Sequence, residues 1–148
     1  MKIYIGGDHA GYQLKEKIKP WLEKQGHEIV DCGPFKIDNN DDYPDFVIPL
    51  AKQVSKDKGS MGISLAASGQ GEGIAMNRVK GIRAAVYYGK NMNIIKLSRE
   101  HNNSNILSIG ARFVSDSEAK KAINLWLKTK FDPDSRHERR LKKIEGGK

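Results

Sequence analysis

GISLAASGQGEG, residues 62–73, is the stretch that decides the fold. Residues 62–67 form an apolar run of strand length, and a glycine-rich turn leads from it into a helix-like pattern over about 72–79. A buried strand that passes through glycines into a helix is typical of an α/β protein with a parallel sheet. The stretch therefore predicts one strand–turn–helix unit of such a sheet.

The same unit repeats along the chain. Further strands are predicted at 2–7, 27–32, 83–88 and 105–110. Further helices are predicted at about 11–25, 44–57, 90–100 and 116–129, with a last basic helix at about 136–145. This alternation predicts a three-layer α/β sandwich around a five-stranded parallel sheet of order 2-1-3-4-5, in a single domain over residues 1–148.

Two glycine-rich segments follow neighbouring strands at the carboxyl end of this sheet. GGDHAG (6–11) follows the first strand, and ASGQGEG (67–73) follows the third. The direction of winding reverses between these strands, and doubly wound sheets bind ligands beyond the carboxyl ends at that point. The sequence therefore predicts the functional site here, and the long loop 33–44 after the second strand is a further candidate.

Neither segment carries a complete nucleotide-binding motif. Tyr12 and Gln13 stand where a P-loop needs Lys and Ser or Thr, and Ile74 stands where a dinucleotide-binding fingerprint needs its last glycine. A non-catalytic nucleotide-binding module stays open as an alternative, which a thermal-shift scan with NAD, ATP and GTP would test.

The second segment carries groups suited to moving a proton beside a carbonyl. Gly69, Gly71 and Gly73 place several backbone amides at a helix N-terminus, where they attract negative charge. Ser68 adds a hydroxyl and Glu72 a carboxylate, so a base and donors for a developing oxyanion share one turn. Alternatively, Glu72 is an ordinary first-turn residue favoured by the helix dipole.

The first segment adds Asp8 and His9 at the end of its strand. Asp8 either faces a ligand or caps the following helix, since Asp is a common cap. The adjacent His9 and the position at the switch point favour the functional interpretation.

The remaining candidates lie later in the chain. His101 and Asn102 end a helix before the fifth strand, where a histidine is also favoured by the helix dipole. Arg136 and Arg140 share one helix face and suit a phosphate, although on spacing alone a solvated basic face is the better explanation.

The topology predicts a shared site. Residues that enter the fifth strand lie at the sheet end opposite to Glu72, and a six-residue strand spans about 20 Å. If His101 is catalytic, it must therefore reach the site of another subunit, which predicts a homodimer or a higher homo-oligomer.

Charge and composition argue against two other classes of protein. The formal charge is +8, but residues 136–148 contain six Lys or Arg and two Glu, so this tail supplies half of it. Aromatic residues do not alternate with a basic stripe, so nucleic-acid binding is not expected. Membrane binding is not expected either, because no apolar run approaches the roughly 20 residues of a span.

Metals and cofactors are not expected. Cys32 is the only cysteine, and the four histidines show no paired ligand spacing. The first residues lack the features of a signal peptide, and a lone cysteine suits a reducing compartment, so a cytoplasmic location is expected.

The chain resembles the ribose-5-phosphate isomerase B family, which also includes the galactose-6-phosphate isomerase subunits. The matching stretches are GGDHAGYQLK (6–15), DYPDF (42–46), ASGQGEGIAMNRVKGIRAA (67–85), LSREHNNSNILSIGAR (97–112) and RHERR (136–140). The resemblance implies a Rossmann-like fold, a dimer with active sites at the subunit interface, and a phosphorylated sugar as substrate.

The resemblance also implies roles for individual residues. Asp8 and His101 are expected to assist ring opening, and Asn102 to hold substrate oxygens. His9 is expected to contact the phosphate or the ring, and Tyr43 to line the pocket. The residues expected to bind phosphate are Arg112, Arg136 and Arg140.

One departure from the family pattern changes the expected base. Many members carry a catalytic cysteine at the position of Ala66, which cannot accept a proton. A second branch uses Glu at the position of Glu72 with Ser at the position of Ser68, and this chain fits that branch. We therefore expect an isomerase of ribose 5-phosphate and ribulose 5-phosphate that works through a cis-enediolate, with a hexose 6-phosphate (allose or galactose) as the alternative substrate.

Overall fold

A computed structural model describes residues 1–146. Within them the chain forms five strands, β1 (Lys2–Gly7), β2 (Glu28–Asp31), β3 (Met61–Ala66), β4 (Ala84–Tyr87) and β5 (Ile106–Gly110). The same residues form six helices, α1 (Tyr12–Glu23), α2 (Pro44–Lys56), α3 (Gln70–Met76), α4 (Met92–Glu100), α5 (Asp116–Lys128) and α6 (Arg136–Ile144). Each predicted strand and helix is present, with ends displaced by a few residues. Over residues 1–146, the helices are too short or too polar to cross a membrane.

The strands are all parallel, in the order β2-β1-β3-β5-β4. The predicted order 2-1-3-4-5 is therefore wrong at one end, because β5 lies beside β3 and β4 forms the edge. Burial in the fold matches this order: every residue of β5 is buried, whereas three of the four residues of β4 are only half-buried. A strand that is apolar on both faces is stabilised most in the middle of the sheet. The change in winding direction between β1 and β3, where the sequence predicts the functional site, is unaffected.

Helices cover both faces of the sheet, which confirms the three-layer α/β sandwich. On one face, α1, α4 and α5 pack against β-strand side chains such as Ile3 and Ile5, with Trp126 of α5 fully buried. On the other face, α2 and α3 pack around Tyr4. Successive residues of β1 therefore pack into hydrophobic cores on opposite faces of the sheet, because side chains alternate between the two faces along a strand.

Gly11 allows the loop after β1 to pack directly on β3. A Cβ atom at this position would lie 1.8 Å from the carbonyl oxygen of Leu65, a distance that no side chain can occupy. The close approach brings residues 8–11 beside the start of the glycine-rich turn.

A buried lysine anchors the loop after β2. The Lys15 ammonium is 1% exposed, lies 2.7 Å from both carboxylate oxygens of Asp31, and donates to the carbonyl oxygen of Pro34 at 2.7 Å. A buried cation is tolerated only when such partners surround it. The anchor fixes the beginning of the loop that carries Asp41 and Tyr43.

Candidate active site

Asp8 connects the two glycine-rich segments. Its side chain is buried, and Oδ1 accepts a hydrogen bond from the amide of Gly11 at 3.0 Å. Oδ2 accepts from the amide of Ala67 at 3.5 Å. Asp8 therefore closes the turn before α1 and also holds the loop after β3. The N-cap of α1 is Gly11 and no side chain in residues 1–146 caps the helix, so the helix-capping interpretation of Asp8 is wrong.

His9 forms a short hydrogen bond that sequence reasoning missed. Its Nδ1 lies 2.6 Å from Oδ1 of Asp41, which belongs to the loop after β2. The hydrogen bond that His9 makes to the carboxylate of Asp41 raises the pKa of His9 above its ordinary value, against the opposing effect of burial. The loop was a candidate on length alone, but no pattern distinguishes Asp41 from Asp38 and Asp42 beside it.

Glu72 lies in the first turn of α3 with only 4% of its surface exposed. Burial raises the pKa of its carboxyl above the ordinary value of 4.5, its own backbone amide partly offsets this rise, and the charge of Asp8 adds to it. A carboxylate held in this way is a stronger base than an exposed one.

The turn before α3 presents unbonded backbone amides. Gly69 has a left-handed φ of 77° and its carbonyl accepts a 2.9 Å hydrogen bond from Ser108, which fixes the turn. The Ser68 hydroxyl accepts from the amide of Gln70 at 3.3 Å. Within residues 1–146, the amides of Gly69 and Gly71 donate to no protein acceptor. The turn can therefore donate hydrogen bonds to an oxyanion.

Tyr43 lies against this turn. A Cβ atom at Gly71 would be 2.7 Å from the Tyr43 hydroxyl, so the ring covers the glycine closely. Gly73 faces away, and a Cβ atom there would be 2.7 Å from Cγ2 of Val86 on β4. The small size of Gly73 is therefore explained by packing between α3 and the sheet.

Arg112 completes the groups at this end of the sheet. It follows β5, its amide donates to the carbonyl of Ala67 at 3.2 Å, and its exposed guanidinium is near enough to lower the pKa of His9. We call this group the carboxyl-end cluster; it comprises Asp8, His9, Asp41, Tyr43, Ser68, Gly69, Gly71, Glu72 and Arg112.

His101 and α6 lie together at the opposite end of the sheet. His101 is the C-cap of α4, and its ring stacks on that of His137 with centroids 4.1 Å apart and an interplanar angle of 13°. Burial lowers the pKa of His137, and the nearby His101, Arg136 and Arg140 lower it further. His137 was missed because the stacking depends on α6 folding back to α4.

Asn102 lines a cavity of about 380 Å³, together with Leu141 and Ile144 of α6 and the start of β4. We call the second group the amino-end cluster; it comprises His101, Asn102, Arg136, His137 and Arg140.

Strand β5 separates the two clusters. His101 and Asn102 precede it and Arg112 follows it, and its five residues span roughly 16 Å. Because all the strands are parallel, the exchange of β4 and β5 does not alter this separation. One chain therefore holds the predicted site residues as two groups at opposite ends of its sheet.

The carboxyl-end cluster contains no thiol. Ala66, at the end of β3, is fully buried. Burial raises the pKa of the Cys32 thiol to about 11, so it is uncharged at neutral pH. Within residues 1–146, no three His, Cys, Asp or Glu side chains cluster as metal ligands; independence from metals stays a prediction.

A parallel α/β sheet with a buried carboxylate, a hydroxyl and unbonded amides at its switch point defines a protein built for acid–base chemistry on a small anionic ligand. The family model described as Ribose/Galactose Isomerase matches residues 3–144, and the chain belongs to that family.

Similar sequences and similar solved structures agree with this family assignment. The chain is 42% identical to the ribose-5-phosphate isomerase B of Mycobacterium tuberculosis over 141 residues, which cover 95% of this chain and 86% of the relative. The crystal structure of ribose-5-phosphate isomerase B from Mycoplasma genitalium with bound ribulose-5-phosphate has a TM-score of 0.92 at 39% identity, covering 98% of this chain and 94% of that one. The enzyme from Clostridium thermocellum also has a TM-score of 0.92, at 42% identity, covering 99% and 96% of the two chains.

Proposed function

We propose that the protein is an aldose–ketose isomerase that interconverts ribose 5-phosphate and ribulose 5-phosphate, with Glu72 as the base. The observation that carries this proposal is the buried Glu72 carboxylate with its raised pKa, in the same turn as Ser68 and the unbonded amides. The names of the relatives support it, as does the ribulose-5-phosphate bound to the Mycoplasma genitalium enzyme.

The proton transfer uses groups of one turn. Glu72 removes the proton at C2 of the open-chain aldose, and negative charge develops on O1. Ser68 and the amides of Gly69 and Gly71 donate hydrogen bonds to this oxygen, which stabilises the cis-enediolate. Glu72 then returns the proton to C1, since both carbons lie on one edge of the intermediate. The proton of the O2 hydroxyl passes to O1, so that C2 becomes the ketone carbonyl and O1 becomes a hydroxyl. The proposed reaction uses protein groups alone.

Ring opening precedes the proton transfer and requires a second set of groups. His101 donates a proton to the ring oxygen, and Asp8 accepts the proton of the anomeric hydroxyl. Asn102 holds substrate hydroxyls, and Tyr43 covers the sugar at Gly71.

The proposed active unit is a homodimer. A two-fold axis that places the amino-end cluster of one subunit on the carboxyl-end cluster of the other generates two equivalent sites. The roughly 16 Å between the clusters in one chain supports this arrangement, because no side chain crosses that distance.

The phosphate is bound by both subunits in this arrangement. His9 and Arg112 approach it from the carboxyl-end cluster, and Arg136 and Arg140 from the second subunit. Guanidinium pairs bind phosphate oxygens with paired hydrogen bonds, which suits the one-turn spacing on α6. This substrate class also accounts for the positive charge without nucleic-acid binding, and we expect the enzyme to act in the cytoplasm.

Initial rates with ribose 5-phosphate, allose 6-phosphate and galactose 6-phosphate test the function. The hexose phosphates are the second candidate because the family description includes galactose. We expect ribose 5-phosphate to be the preferred substrate and Glu72→Gln to lower kcat at least ~10²-fold. The matched control is Glu23→Gln at the exposed end of α1. Wild-type protein inactive on all three sugars, or near-normal turnover by Glu72→Gln, would contradict the proposal.

A further inference from the structure

The pair of His9 and Asp41 is more enclosed than a surface ion pair. The side chain of Asp41 is 6% exposed and that of His9 is 25% exposed. Oδ2 of Asp41 is buried and has no hydrogen-bond partner among residues 1–146. In the same residues, His9 is the one basic side chain within 4.0 Å of this carboxylate. A buried carboxylate with a single basic partner is strongly destabilised when that partner is neutral.

We propose that Asp41 is a positioning residue that holds His9 as an imidazolium, with its Nε2–H group available to the phosphate of the substrate. The inference rests on the proposed function, in which His9 binds phosphate.

The hydrogen bond between His9 and Asp41 makes phosphate binding by His9 depend on whether its ring is charged. Because the ionised Asp41 is an acceptor, Nδ1 of His9 must carry a proton. In a neutral ring, Nε2 would then be a bare acceptor that repels a phosphate oxygen. In the imidazolium, Nε2 carries a proton and donates a charge-assisted hydrogen bond. Asp41 thus favours the cation and disfavours the neutral tautomer that could still donate from Nε2.

The other charged groups near His9 act in both directions. The carboxylate of Asp8, at the end of β1, favours the imidazolium, and the guanidinium of Arg112, after β5, opposes it, as does burial. Asp41 has the largest effect because it is hydrogen-bonded to the ring. Removing the charge of Asp41 therefore leaves the carboxylate of Asp8 to favour the imidazolium, against Arg112 and burial, which favour the neutral ring.

The test is the titration of His9 in the substrate-free protein, followed by NMR of ¹⁵N-labelled histidine and assigned with His9→Gln. We expect Asp41→Asn to move the titration midpoint of His9 to lower pH. Asp38→Asn, an exposed substitution in the same loop, is the control and should leave it unchanged. Inorganic phosphate should raise the midpoint in the wild type and raise it less in Asp41→Asn. An unchanged midpoint in Asp41→Asn would overturn the proposal.

Kinetics on ribose 5-phosphate provide the second measurement. At pH 8, Asp41→Asn should raise KM about tenfold, as expected for loss of a charge-assisted bond, with kcat within about twofold of wild type. In the His9→Gln background, Asp41→Asn should have no further effect on KM. An equal rise in KM in that background would show that Asp41 acts independently of His9 and would refute the inference. Because the NMR titration needs no turnover, an inactive wild type would refute the isomerase function without deciding the role of Asp41.

Discussion

Two inactive variants, Glu72→Gln and His101→Ala, are expected to restore activity when their subunits exchange. Glu72 lies at the carboxyl end of the sheet and His101 at the amino end, with the roughly 16 Å of β5 between them. In the shared-site dimer, one site of each heterodimer carries both substitutions and the other carries neither. The intact site combines Glu72 of the His101→Ala chain with His101 of the Glu72→Gln chain.

The size of the recovery follows from this arrangement. Random exchange of equal amounts makes half of the dimers heterodimers, each with one intact site of two, so the mixture should reach about a quarter of wild-type activity. Glu72→Gln alone should retain about a hundredth or less, because a positioned general base contributes at least ~10²-fold. The expected gain over that variant is therefore at least roughly 25-fold.

The assay measures ribose 5-phosphate isomerisation before and after exchange, with heterodimers counted by native mass spectrometry. A mixture of Glu72→Gln and Glu72→Ala is the matched control, since none of its dimers contains an intact Glu72. Demonstrated exchange without recovery would refute the reasoning, because it would show either that the site lies within one chain or that His101 is not part of it.

Three further outcomes follow from individual side chains. Since the base must be ionised and burial raises the pKa of Glu72 in the free enzyme, kcat/KM should fall as pH falls through a pKa above the ordinary 4.5; a limb at or below 4.5 would contradict this. Because the pKa of Cys32 is about 11, less than about 0.1% of this side chain is thiolate at pH 7.5, and iodoacetamide should leave activity intact. Rapid alkylation of Cys32, detected by mass spectrometry, would contradict this expectation. Trp126→Phe removes the buried 2.8 Å bond from the indole to Ser104 and should lower the free energy of unfolding by about 1 to 2 kcal/mol in urea; an unchanged midpoint and slope would show that the bond contributes little.

The sequence predicts the glycine-rich turn well because its signals are local. An apolar run, three glycines and Glu72 within twelve residues specify a strand, a turn and a first-turn carboxylate without reference to distant parts of the chain. The burial of that carboxylate depends on tertiary packing and is not predicted by these local signals. The separation of His101 from Glu72 is also predictable, since it depends only on which end of a parallel strand each residue adjoins.

The order of the last two strands is not predictable in the same way. Both 83–88 and 105–110 have strand character, and the difference is that β5 is buried on both faces while β4 is half-buried. That difference arises only when the helices are placed on the sheet. The partners of His9 and His101 were missed for a related reason: Asp41 and His137 lie 32 and 36 residues away and meet them only through tertiary packing.

The position of β5 between β3 and β4 links the two catalytic centres of the proposed dimer. Each copy of this strand would begin beside one centre, after His101 and Asn102, and end beside the other, before Arg112. The strand holds its two ends at a fixed distance, because it is buried and hydrogen-bonded to β3 on one side and to β4 on the other. A displacement along β5 would shift groups in both centres at once, so the spacing of the two centres is set by the hydrogen-bond register of a single strand.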